Sequence, residues 1–213
     1  MATPSKNGKN IIEFNCKNGV YAVYDGSAYE TVKPLGYLTA ISTEKNIDTK
    51  DIYGDGEIIY SQTNDKGSTG SLEMTAQDTD FEKDLGFAMA ISQGLAEAQI
   101  LESKTVAIGA ECYIVAKDAS TGAIAQKTKK VWWLNVNVSP ASTSLSQNTD
   151  TTNEATVSYP LTIKGVNLQA ATGSVDYVDA NGNTRRIFKV SALPTDSGYA
   201  TFLDTVPTPK ASA

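Results

Sequence analysis

The side chains best able to do chemistry in this chain are carboxylates. Asp78, Asp80, Glu82 and Asp84 alternate through one short segment, a spacing that could serve acid–base or metal–carboxylate work. The same segment also reads as the start of a helix. Thr79-Asp80-Phe81-Glu82 fits a capping box, with the Thr79 hydroxyl accepting from the Glu82 amide and the Glu82 side chain reaching back. Acidic residues are favoured at a helix N-terminus by the backbone dipole, so the cluster is expected to be structural. Asp179, Asn181 and Asn183 alternate like the opening of a calcium loop, but the downstream bidentate Glu is missing. An Asn181-Gly182 turn accounts for them better. Asn137-Val138-Ser139 matches a glycosylation sequon, with no secretory context to support it.

The chain has no histidine and two cysteines, Cys16 and Cys112. Without histidine there is neither a Ser-His-Asp nor a Cys-His arrangement, and a structural zinc site has no support. Each cysteine sits in a strand-like run. A disulfide and two reduced thiols are both open, and the lack of a secretion signal favours reduced thiols. No cofactor site is indicated: no glycine-rich phosphate loop is visible, and the chain reads as a non-enzyme. A net charge of −6 argues against gripping nucleic acid, which needs clustered Lys and Arg. Lys127-Thr128-Lys129-Lys130 and Arg185-Arg186 are too short for that and read as solvated strand ends.

The elements that would position these residues are mostly strands. At 213 residues and 40% apolar one domain with a sizeable core is expected. No apolar run approaches the roughly 18 residues of a membrane span, so no membrane anchor is expected. The first ten residues lack a signal-peptide core, which predicts synthesis and folding in a cytoplasm.

Gly54-Asp55-Gly56 lies between Asp51-Ile52-Tyr53 and Glu57-Ile58-Ile59-Tyr60 and predicts a tight hairpin. A polar loop, Asn64-Asp65-Lys66-Gly67-Ser68-Thr69, follows. Thr69–Thr75 then puts Leu72 and Met74 on one strand face. Phe81 and Leu85 lie one turn apart on the helix, which Gly86 stops. Ile11–Cys16 and Val20–Tyr24 flank a turn at Lys17-Asn18-Gly19. Glu111–Lys117 and Ala123–Lys129 flank a loop at Asp118–Gly122, and Ser174–Asp179 and Thr184–Val190 flank the Asn181-Gly182 turn. Thr156–Leu168 is a long strand broken by Pro160 and Gly165. Phe87–Ser103 fits helix or loop.

Along Val131–Val138, Trp132, Leu134, Val136 and Val138 alternate with Trp133, Asn135 and Asn137. Trp132 is assigned to the core. Trp133 is a candidate for the helix contact or a subunit interface, with a second buried layer as the alternative. The predicted class is mainly β, a β-sandwich or partly closed barrel with one short flanking α-helix. The predicted organisation is an N-terminal arm (1–10), a β-sandwich domain (11–192) holding a long polar loop (139–154), and a C-terminal arm (193–213).

One family shares this order of elements. Ile52-Tyr53-Gly54-Asp55-Gly56, Lys66-Gly67-Ser68-Thr69-Gly70-Ser71-Leu72-Glu73 and Phe81-Glu82-Lys83-Asp84-Leu85-Gly86 come first. Val106-Ala107-Ile108-Gly109, the Asp118–Gly122 hairpin and Val131-Trp132-Trp133 follow. Over about residues 10–170 this resembles the major tail protein, the tail-tube subunit, of long non-contractile-tailed bacteriophages of Gram-positive hosts. The resemblance implies a tail-tube-like fold and hexameric rings stacked into a hollow tube, four strands per subunit forming a continuous inner barrel. Genome DNA would pass through without specific binding. Twenty-four strands at ~4.8 Å, tilted by ~40°, give a backbone diameter of roughly 48 Å, wider than a duplex.

The implied partners are copies of itself, the tape measure, the tail terminator and the distal tail protein. The implied location is the virion tail, after assembly in the host cytoplasm. On this reading the hairpin is inner-sheet material, and Asn64, Asp65, Lys66, Gly67, Ser68 and Thr69 form a ring contact, mobile until rings stack. Trp133 is a further inter-subunit candidate. A β-sandwich binding module of a virion or cell surface, host-recognising or adhesin-like, is the alternative.

Overall fold

The computed structural model describes residues 10–99, 103–117, 123–144, 156–167 and 186–209. The N-terminal arm, the Asp118–Gly122 loop, most of the 139–154 loop and the Asn181-Gly182 turn lie outside the described residues. The strands are β1 (Asn10–Val23), β2 (Lys33–Pro34), β3 (Leu38–Gly54), β4 (Glu57–Met74), β5 (Ala88–Ile91) and β6 (Gly94–Glu97). They continue with β7 (Thr105–Lys117), β8 (Ile124–Val138), β9 (Ser142–Ser144), β10 (Thr156–Ile163), β11 (Val166–Asn167), β12 (Arg186–Ile187) and β13 (Lys189–Ala192). One short helix, α1 (Thr79–Leu85), follows β4.

The main sheet is antiparallel in the order β2-β1-β7-β8-β10-β4-β3, with β13 beside β8 and β9 beside β10. It curls without closing into a barrel. Its two ends come together where Gly19 of β1 faces the Leu38 side chain of β3. Pro160, which brings no amide donor, falls where the partner of β10 changes from β9 to β8.

The concave face holds the principal core. Leu72 and Met74 of β4, Val106 and Ile108 of β7, and Val157, Tyr159, Leu161 and Ile163 of β10 are all buried there. Helix α1 plugs it from one end. Phe81 lies edge-on to Tyr21 at 4.8 Å and to Tyr159 at 5.6 Å, arrangements that favour the ring quadrupoles. The cap is one residue earlier than the sequence pattern predicted. Asp78, not Thr79, accepts from the amides of Asp80 and Phe81, and Gly86 ends the helix at φ 79°. A carboxylate there adds charge complementarity to the capping bond.

The convex face carries a second, smaller core of Ala107, Trp132 and Leu134 beneath Tyr29, Val32, Phe202, Leu203 and Val206. Residues 193–209, read from sequence as an arm, thus pack against the body. The Trp132 indole N–H donates to the Phe202 carbonyl at 2.8 Å.

Three other expectations are corrected. Lys17-Asn18-Gly19 is no hairpin turn: β1 runs through it, absorbing irregularities at Asn15 (φ 58°) and Asn18 (φ 50°). Phe87–Ser103 contains a small hairpin, β5–β6. The face assignment along β8 fails at a bulge. Val106 pairs with Val136 but Ile108 with Trp133, so β8 holds one residue more than its partner, and Asn135 takes φ 52°. The extra residue inverts the alternation. Val131 and Trp133 share the concave core with Val136 and Val138, while Trp132 and Leu134 face the convex side.

Candidate assembly surface

Beyond Lys45 and Ser68, β3 and β4 leave the body and continue as a two-stranded arm. The ladder runs from Ile47–Asp65 to Gly54–Glu57. Asp55 (φ 52°) and Gly56 (φ 85°) form the turn, the doubly positive geometry that Asp-Gly favours. The shaft is polar: Thr49 opposes Thr63, Lys50 opposes Gln62 and Asp51 opposes Ser61. Lys66 pairs with Asp48 at 3.0 Å, an exposed ion pair of little energetic weight.

The tip is apolar. Ile52, Tyr53, Ile58, Ile59 and Tyr60 are exposed, from 48% at Ile52 to 70% at Ile59. These five are the site residues that sequence reasoning missed as a surface. The signal was present, because Ile52 and Tyr53 are consecutive and a strand points neighbours to opposite faces, with Tyr60 and Ile58 opposite them. Both faces of the tip are therefore greasy.

The six residues predicted as a loop, Asn64, Asp65, Lys66, Gly67, Ser68 and Thr69, are instead part of β4 at the base of this arm. Lys45 pairs with Ser68 while Ile47 pairs with Asp65, so β4 carries an extra residue there. Gly67 takes φ 103°, its amide donates to the Asp65 carboxylate at 3.0 Å, and a Cβ would sit 2.5 Å from the Ile163 carbonyl. Asn64–Lys66 and Thr69 are exposed, whereas Gly67 and Ser68 are buried.

Trp133, the seventh candidate, is 9% exposed and belongs to the concave core. Its buried indole N–H has no hydrogen-bond partner among the described residues, and the Lys189 ammonium lies 5.2 Å from its ring centroid. The structure brings Trp133 and Ser68 into one cleft with Lys45, Phe188 and Lys189. Asn64–Gly67 line the adjoining cleft with Lys164, Arg186 and Phe188. Thr69 lines neither.

The carboxylates of α1 are absorbed by structure. Asp78 caps the helix and also accepts from the Gly36 amide at 2.9 Å. Glu82 is 4% exposed and accepts from the Tyr159 hydroxyl at 2.7 Å and the Gln77 amide group at 3.2 Å. Its side chain does not reach back to the cap. Asp84 accepts from the Tyr21 hydroxyl at 2.7 Å and from Lys33 at 2.6 Å. Burial works to raise the Asp84 carboxyl, but the bonds from Lys33 and Tyr21 outweigh it and leave it below the ordinary Asp range. Among the described residues, no group of three or more His, Cys, Asp or Glu could hold a metal ion. No helix among them is long and apolar enough to cross a membrane.

No family model matches this chain, and no curated protein sequence matches it. The fold is similar to a chain of the extended PVC sheath-tube complex, an extracellular contractile injection system. That match has TM-score 0.37 and 12% identity, covering 69% of this chain and 84% of that one. It is similar also to a chain of the six-fold symmetrised baseplate of the anti-feeding prophage, with TM-score 0.36 and 7% identity, covering 77% and 94%.

Proposed function

We propose that this chain is a structural subunit of a phage tail tube. On this reading it assembles as hexameric rings that stack into the conduit for genome DNA, and it performs no catalysis. The observation that carries the reading is the apolar hairpin tip. An isolated two-stranded ribbon is at best marginally stable in water, and large exposed apolar residues clustered at its end mark a protein contact. A neighbouring copy supplies the cover.

The open sheet edges fit the same reading. The outer edge of β3 has no ladder partner among the described residues, and the outer edge of β1 carries β2 only at Val20 and Tyr21. A heterologous interface joining two different edges closes a ring and removes both. The order of motifs over residues 10–170 supports a tail-tube subunit in particular. A net charge of −6 suits a wall along which DNA slides without sticking. The partners would be the tape measure, the tail terminator and the distal tail protein, in a virion assembled in the host cytoplasm.

Light scattering and negative-stain microscopy of the wild type beside an Ile59→Asp, Tyr53→Ser variant test the reading. Rings or tubes from the wild type, and folded monomers from the variant, are expected. Equal assembly by both proteins removes the hairpin tip as the contact. Discrete wild-type particles that bind a host surface component would favour a β-sandwich binding module instead.

A further inference from the structure

Cys16 of β1 and Cys112 of β7 stand directly opposite each other in the antiparallel register, and both are free. Residues opposed in this way project from the same face with Cβ atoms ~4.5–5.5 Å apart. Their Cα atoms are about 4.5 or 5.5 Å apart depending on the ladder position, and a disulfide spans ~4.4–6.8 Å. Both side chains line one cleft, the seam where β1 approaches β3, together with Phe14, Ile41, Val131 and Trp133. Both are half-buried, so a small reagent entering the seam meets either sulfur.

The strand on which Cys16 sits is poorly held. The β1–β7 register shifts between Phe14 and Cys16 and again between Lys17 and Val20, and Asn15 and Asn18 adopt left-handed backbone. A strand bent twice within four residues leaves its ladder interrupted, and a covalent tie there would restore what the bulges remove.

We propose that Cys16 and Cys112 form an oxidation site, where a small disulfide of the oxidised-glutathione class is exchanged for an intrachain cross-strand disulfide stapling the outer half of β1 to β7. One protein thiolate attacks a sulfur of the reagent. The reagent S–S bond breaks, and one reduced thiol leaves. The second protein thiolate then attacks the mixed disulfide, forming the Cys16–Cys112 bond and expelling the second thiol. The protein loses two electrons and two protons; the reagent gains both and becomes two thiols.

The surroundings set the rate. Burial, with Cys112 beside it, pushes the Cys16 thiol up to about 11. Burial and Glu13 of β1 raise Cys112, while Lys129 of β8 and Lys189 of β13 pull it down. Little thiolate exists at neutral pH, so exchange is slow there and quickens as pH rises. The inference stands on these strands alone and is independent of the tube reading.

The test treats the folded full-length chain with oxidised glutathione at about pH 7 and about pH 9, followed by intact mass and non-reducing peptide mapping. The expected product is lighter by two hydrogens and links the Cys16 and Cys112 peptides. It should form faster at the higher pH by up to about tenfold per unit. It should also melt at a higher temperature than the reduced chain, with slower amide exchange over residues 13–19. Cys112→Ser should end instead as a glutathione adduct on Cys16. A persistent adduct on the wild type, a disulfide-linked dimer, or an unchanged mass after long exposure at the higher pH overturns the proposal. A disulfide that forms without changing melting or exchange overturns the stapling role.

Discussion

The Tyr159 hydroxyl donates to the Glu82 carboxylate at 2.7 Å, and both residues are buried. This bond ties α1 to the middle of the sheet, at the point where Phe81 also meets the Tyr159 ring. A buried carboxylate is costly unless hydrogen-bonded. Among the described residues, Tyr159→Phe leaves Glu82 the longer Gln77 bond alone. The expected loss is about 1.5–3 kcal/mol, the range for hydrogen bonds to charged groups, read as a lower urea midpoint with unchanged slope.

The Asp84 cluster predicts the limits of pH stability. Its folded carboxyl lies below the ordinary value, so its contribution is present above the unfolded pKa near 4 and lost as pH falls through the folded one. Tyr21 is raised, first by burial and then by its bond to Asp84, and Tyr159 first by burial and then by its bond to Glu82. Their contribution is full below the unfolded pKa near 10 and declines as pH rises beyond it. Melting temperature against pH should therefore fall on both sides. Asp84→Asn should flatten the acid side.

Gly67 meets two independent constraints, a positive φ and the Ile163 carbonyl in the space a methyl would need. Gly67→Ala is expected to cost more than the roughly 1 kcal/mol of the backbone strain alone. Slower folding or loss of soluble protein would be a stronger form of the same outcome. A variant as stable as the wild type in denaturant titration would contradict the bulge geometry.

Trp133 occupies core volume while its one donor has no partner among the described residues. Truncation to Ala should cost about 3–5 kcal/mol, as for other large core side chains. Trp133→Phe removes the unpaired N–H along with part of the volume and should cost less than half as much. Equal penalties in thermal melts would mean that the indole N–H has a partner after all.

Local signals in the sequence were legible where the chain answers mainly to its neighbours in sequence. The Asp55-Gly56 turn, the Phe81–Leu85 face, the Gly86 stop and the Leu72–Met74 face all stand in the structure. The errors came where a tertiary partner overrode local preference. Asn64–Thr69 looks like a loop because it is polar and contains Gly67, yet β3 pairs with Asn64, Asp65, Ser68 and Thr69 and the irregularity shrinks to a bulge at Lys66-Gly67. Lys17-Asn18-Gly19 has turn chemistry, yet the length of β7 opposite keeps β1 running. Asn135 gave no warning at all, since an asparagine on a strand's polar face is unremarkable until its φ is known. The assembly surface was half legible: the hairpin was found, but its two-sided exposure depends on how far it projects.

The Asn135 bulge has one more consequence, for how this chain can vary in length. Ordinary alternation feeds an indole to each side of the sheet, Trp133 inward and Trp132 outward under Phe202, and the bulge then returns Val136 and Val138 to the side of Trp133. Deleting a single residue between Trp133 and Val136 would remove the bulge and keep Trp133, Val136 and Val138 on the concave side by simple alternation. Adding one elsewhere in Val131–Val138 would misplace everything on one flank. Within this stretch of β8 a one-residue deletion should be tolerated at the bulge alone, and other insertions and deletions confined to its two ends.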